Sequence, residues 1–179
     1  MPEEIEVPTE HLHESMEEKA HEASDRWISR VALSAALLSV LAAITAMLAG
    51  DHVNEAMIDQ LQASDQWAFY QSKGIKAAVL DSKMEMLGAQ GKTLDPKDEE
   101  KLTEYKNDQQ GIKDTADEKE KSSSEHLRKH NKMARGVTAF QIAIALSAIS
   151  VLTKRKVLWF GGLALGAVGV GFLVAGLVV

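Results

Sequence analysis

The sequence predicts an all-α integral membrane protein with three transmembrane helices and a long antiparallel helical hairpin between the first and second. Three observations carry this. Val31 to Gly50, Gly136 to Thr153 and Val157 to Val179 contain no charged residue. The stretch between the first two, residues 51–135, is dense in charge. A two-glycine break interrupts that stretch near its middle and is followed at once by a strong helix start.

A hydrocarbon layer about 30 Å thick takes about 20 apolar helical residues to cross. The first and third charge-free segments meet that length, and the second lies at the short end of the usual range. A mean hydropathy of -0.14 is therefore an average over apolar spans and a very polar remainder. Core helices of a soluble bundle carry a polar face, whereas the polar side chains of these segments are Ser, Thr and Gln141. The segment boundaries read as a polar N-terminal piece (1–26, a short helix or disordered), spans at 27–50, 136–153 and 157–179, the hairpin at 51–135, and a basic turn at 154–156.

With 26 acidic and 20 basic residues, the net charge of -6 disfavours nucleic acid, which calls for clustered Lys and Arg. Cysteine is absent, which excludes disulfides, thiolate metal sites and cysteine nucleophiles. The acidic N-terminus lacks the basic region and cleavage site of a secretory signal, so the first apolar segment is expected to remain as an anchor.

In chain order, Thr9 after Pro8 reads as a helix cap with Glu10 in the first turn. His11, His13 and His21 accompany several Glu there, but His11 and His13 point different ways on a helix, and a solvated polar face is the plainer reading. Trp27 with Arg26 and Arg30 marks a membrane edge. Small residues recur every four positions in the first span (Ser39–Ala43, Ala42–Ala46–Gly50) and in the second (Ala139–Ala143–Ser147). Close approach through small residues is how helices associate in lipid, so these faces are expected to meet.

Asp51 to Leu87 reads as continuous helix, with a stripe through Met57, Leu61, Ala68, Ile75 and Val79 taken as its seam. Gly88-Ala89-Gln90-Gly91 flags the turn. Asp95 then caps a new helix, with Pro96 at its first position and Asp98, Glu99 and Glu100 in its first turn. The returning arm steps by three and four through Leu102, Tyr105, Gln109, Ile112, Ala116, Lys119, Ser123, His126, His130 and Met133, the spacing of a coiled-coil seam. Gly111 and the Ser122–Ser124 run mark weak points. In the third span Gly162 and Gly166 form a GxxxG pair, and Gly169, Gly171 and Gly176 extend the flat surface, which favours packing against protein and self-association.

The chemistry is sparse. With the turn centred near residue 92, His126 is expected near Ile58 and Asp59, His130 near Asn54 and Glu55, and Lys119 opposite Asp65. His126 and His130, four apart on one face, suit a divalent metal or a proton sensor, with His52, Glu55 and Asp59 as completing ligands; the alternative is a pair of polar residues setting register. No G-x-S-x-G, Walker A, Rossmann or zincin pattern is present. Trp67, Tyr70 and Gly74, with Phe69 beside them, suggest either a docking surface for another copy or partner, or a thickened local core.

The runs SDQWAFYQSKGIKAAVL, VALSAALLSVLAAITAMLAGDHVNEAM, FQIAIALSAISVLTKRKVLWF and PTEHLHE (residues 8 to 14) resemble an uncharacterised family of small bacterial inner-membrane proteins, classed as a domain of unknown function. The resemblance covers nearly the whole chain. It implies bacterial origin and membrane residence, and no activity, cofactor or site.

The function expected is that of a non-enzymatic membrane scaffold or interaction protein in contact with lipid. It is expected to form a homo-oligomer through its spans and hairpin, with a protein partner at the hairpin and no cofactor. A small channel or transport accessory subunit with a pore lined by Ser, Thr and Gln141 is the second class. The positive-inside rule puts Lys154–Lys156 and the N-terminus in the cytoplasm and the hairpin in the periplasm; Arg128, Lys129, Lys132 and Arg135 argue the other way.

Overall fold

A computed structural model describes residues 26–178; the readings at Thr9, His11, His13 and His21 lie outside the described residues. The fold is all-helical, with no strand among the described residues: α1 (Arg26–Ala89), α2 (Pro96–Thr153) and α3 (Lys156–Val178). Each contains a segment long and apolar enough to cross a membrane. Spans and arms are not separate elements: α1 and α2 run unbroken from apolar segment to charged arm. Two compact units divide the chain, one being Asn54–Leu127 and the other Met1–Val53 with Arg128–Val179.

In the second of these units α2 is the central helix, half of its apolar window being buried against 22% for α1 and 17% for α3. Val31 and Ala35 of α1 pack on Ala148 and Val151 of α2, flanked by Trp27, Ile28 and Trp159. Leu38 packs on Phe140, Ala143 and Ile144, with Leu41, Ala42 and Leu165 around them. Of the small-residue faces expected to meet, that of α2 is inside: Ala139, Ala143 and Ser147 are buried. That of α1 is not. Its contact line runs through Val31, Ala35, Leu38, Thr45 and Ala49, while Ala43 and Ala46 are exposed.

The glycine face of α3 is used within the chain. Gly162, Gly166, Gly169 and Gly176 are buried. A Cβ at Gly162 would stand 2.9 Å from the Ala143 carbonyl oxygen, and one at Gly166 would stand 2.7 Å from the Leu38 side chain. Gly162 and Gly166 thus form this chain's own packing surface, not a face open to a second copy. The basic turn before α3 is tight, with Lys154 at φ 54 and the Ser150 hydroxyl donating to the Arg155 carbonyl at 3.0 Å.

In Asn54–Leu127 the arms of α1 and α2 form an antiparallel hairpin. α1 ends in a Schellman closure: the Lys92 amide donates to the Leu87 carbonyl and the Gly91 amide to the Gly88 carbonyl. Gly91 takes φ 65, a region closed to most side chains. Asp95 caps α2, accepting from the Lys97 amide at 3.0 Å, with Pro96 at the first helical position. All ten residues of the expected α2 seam are buried or half-buried. Gly111 and Ser122–Ser124 do not interrupt the helix.

The α1 seam differs from expectation. Ala56, Ala63 and Ala77 are buried, with Asp59, Tyr70 and Gly74 half-buried along the same line. Met57, Leu61, Ile75 and Val79 lie on the opposite face and are exposed. Alanine wins the seam because it lets two backbones approach closely, and close approach brings the Ser123 hydroxyl within 2.8 Å of the Ala56 carbonyl.

Candidate functional site

The hairpin holds the charged and aromatic side chains that the sequence singles out. Their pairing follows a register about one helical turn from the expected one. Lys119 reaches Asp59 (3.1 Å), not Asp65; His126 pairs with Glu55 (2.9 Å) and shares a cleft with Ile58 and Asp59, as expected. The closure at Gly91 is the cause. It returns the chain alongside α1, so that Lys83 meets Asp98 (2.7 Å) in the first turn of α2.

Glu55, Ile58, Asp59, Lys119, Ser122 and His126 line one open, polar cleft. Asp59 is its most constrained member, accepting from the Ser122 hydroxyl at 2.6 Å and from the Lys119 ammonium at 3.1 Å. These two donors, the hydroxyl first, hold its carboxyl below the ordinary 3.8. The Ser122 hydroxyl is thereby directed at a carboxylate, while the His126 ring nitrogen Nδ1 is turned to Glu55. These contacts fasten the two helices to each other. One imidazole and one carboxylate side by side are donors of the kind divalent cations take.

His130 belongs to the other unit. Its Nδ1 lies 2.8 Å from the Ala49 carbonyl, an acceptor only, so this nitrogen carries the proton. The two histidines, although four apart on α2, have different partners: Glu55 for His126 and the α1 backbone for His130. His52 also falls in the other unit.

The aromatic cluster is knitted to α2. Trp67 Nε1 donates to Glu120 Oε1 at 2.7 Å, and Trp67 meets Tyr70 edge-on at 5.6 Å between ring centroids. The Gln109 amide donates to the Tyr70 carbonyl at 3.2 Å. It occupies the space beside Gly74, where a Cβ would stand 2.7 Å from its nitrogen. Lys73 lies 5.0 Å from the Tyr105 ring and 5.5 Å from that of Phe69. Its bond to Asp108 (2.6 Å) raises the ammonium above its ordinary 10.5. Phe69 remains half-exposed, at 48%.

Sequence reasoning missed Ser122, Ser123 and Glu120 as fasteners. Serine in a helix reads as a weak point, and only the position of the opposing carboxylate, carbonyl or indole turns it or its neighbour into a link. No curated protein and no solved structure matches the chain. The charge-free segments and the hairpin nevertheless fall together within one family match over residues 27–179, and the chain belongs to that family, described as a domain of unknown function (DUF4337).

Proposed function

We propose that the chain is a non-enzymatic integral protein of a bacterial inner membrane, crossing it three times and carrying its hairpin as an interaction module. One observation carries this reading. In the unit of three apolar segments, rows of large apolar side chains point outward, although Phe140, Ile144 and Leu38 are buried, while hydroxyls lie fully inside. Leu33, Leu37, Val40, Ile44 and Met47 follow one another at steps of four and three along the exposed face of α1. Val157, Phe160, Val174 and Leu177 are exposed on α3. Thr45, Ser147 and Ser150 are fully buried, with Thr45 and Ser147 bonded to carbonyls of their own helices. Such an arrangement is costly in water and natural in lipid, where every backbone group is satisfied within its helix and outward Leu or Val costs nothing.

The buried hydroxyls support an interaction protein over a channel subunit, because they are enclosed by the chain's own helices and do not face outward toward a shared lumen. The basic turn Lys154–Lys156 supports an orientation with that turn and the N-terminus cytoplasmic and the hairpin periplasmic.

The test is extraction. The expressed chain is expected to stay in the membrane pellet through alkaline carbonate and high salt, and to leave it only with detergent. A chain that remains dispersed in buffer without detergent overturns the reading. Single cysteines at Gln110 and Arg155, placed in a chain that has none, report the orientation. An impermeant maleimide should label the first in intact cells and the second only after lysis.

A further inference from the structure

The face of α1 turned away from α2 is unlike the rest of the hairpin. Met57, Leu61, Ala68, Ile75, Val79 and Met86 lie along it, with serines at the intervening places. Their spacing keeps them on one face over eight helical turns, and no charged residue enters the band although charge surrounds it. Leu61, Ile75, Val79 and Met86 are each 64–66% exposed. The α2 arm offers nothing comparable: among its described residues from Pro96 to Leu127, Leu127 is the one large apolar side chain that is exposed.

We propose that this band seats a second copy of the chain, α1 against α1, parallel and in register. The proposal rests on the membrane-anchored reading above and names the surface through which such a protein associates. Three considerations select the occupant. The first is area. At about 100 Å² of exposed apolar surface per large side chain, two bands would cover on the order of 1,000–1,200 Å², the lower edge of a stable specific interface.

The second consideration is charge. Asp65 and Lys76 stand on one flank of the band, Gln60 and Gln71 on the other. In parallel helices each flank meets the partner's opposite flank at an offset of five residues. Asp65 then faces Gln60 of the second copy, Lys76 faces Gln71, and no like charges are opposed. The third is symmetry. Copies inserted the same way in one bilayer run α1 in the same chain sense, which is what a parallel pair requires. A two-fold axis then sets each residue against its own counterpart, with small Ala68 and the serines alternating with Leu61, Ile75 and Val79.

Because the chain has no cysteine, single substitutions report contacts directly. Leu61→Cys and Ile75→Cys, oxidised in native membranes, are each expected to give a disulfide-linked dimer, since seam positions of parallel helices meet the distance a disulfide needs. Lys113→Cys, on the exposed face of α2, should give none. Val79→Glu added to the Ile75→Cys chain should lower the dimer yield at least about tenfold, because an unpaired charge in a dry interface is strongly disfavoured. Helix content should not change, because Val79 is exposed in the single chain.

Absence of dimer at both band positions, in a chain that survives carbonate washing, overturns the pairing and leaves the membrane reading standing. Dimer from mixed Leu61→Cys and Val79→Cys chains but from neither alone overturns the parallel register. A chain lost from the pellet overturns the membrane reading itself.

Discussion

The inward face of α1 in the hairpin is decided by alanine, and a single enlargement tests it. Ala63 is fully buried and lies on the seam with Ala56 and Ala77; Gln62, its neighbour, is exposed. Ala63→Leu adds three carbons where the two backbones are close enough for Ser123 to bond the Ala56 carbonyl at 2.8 Å. The helices must separate, and overpacking of this kind costs about 1–3 kcal/mol. The same step would stretch the bonds that hold Asp59 to Ser122 and Lys119. For a unit of this size the expected fall in the thermal midpoint is roughly 5–15 °C. Gln62→Leu places the same leucine on a solvated face and should stay within about 0.5 kcal/mol. The measurement is circular dichroism on the full chain in mild detergent, with emission from Trp67 in a chain carrying Trp27→Phe and Trp159→Phe reporting whether its bond to Glu120 survives. Equal midpoints for the two variants, or a neutral Ala63→Leu, would refute the seam.

Three further outcomes are expected. Asp59 is held below its ordinary 3.8, so its contribution to stability is complete above that pH and is lost as pH falls through the lower folded value. Lys73 is held above 10.5, so its contribution is complete below that pH and disappears as pH rises through the higher folded value. Melts across pH should therefore show a plateau between the two limbs, with Asp59→Asn flattening the acid limb and Lys73→Met the alkaline one. In α3, Gly169→Ala should cost about 1–3 kcal/mol in detergent unfolding, because a Cβ would stand 2.7 Å from the ring of fully buried Phe140. Gly171→Ala, with nothing within 4 Å, should be silent. For Glu55 and His126, a double-mutant cycle should give a coupling below about 1 kcal/mol, since the Glu55 side chain is 57% exposed.

Several parts of the fold were legible because one local cause sufficed. The hairpin turn is written in Gly91 and in Asp95-Pro96, each of which meets a backbone requirement of its own position. The α2 arm was legible for a related reason: its steps of three and four are unambiguous, and the partner helix accepts apolar and polar occupants alike. The α1 arm carries two faces of similar spacing, and the one with larger side chains was taken for the inner one. That inference assumes that the core takes the bulkiest residues. It fails in a two-helix seam, where backbone proximity and the bonds it permits outweigh the area of one leucine.

The candidate site shows the same division. Ile58 and Asp59 as neighbours of His126 were legible, but its bond to Glu55 and that of Lys119 to Asp59 were not, because a displaced register exchanges such partners while leaving each helix pattern intact. The GxxxG pair at Gly162 and Gly166 likewise announces a close contact without saying whose. Leu38 and Ala143, distant in sequence, supply it.

By itself the sequence determined that the chain is helical, that three of its segments are free of charge and long enough for a bilayer, and where the hairpin turns. These follow from local composition and backbone chemistry, which act wherever the residues stand. Only the tertiary structure decided which face of α1 is covered, which carboxylate each cation meets, and that the glycines of α3 are occupied by α1 and α2. Those outcomes depend on how near two helices can come, and that distance is a property of the pair.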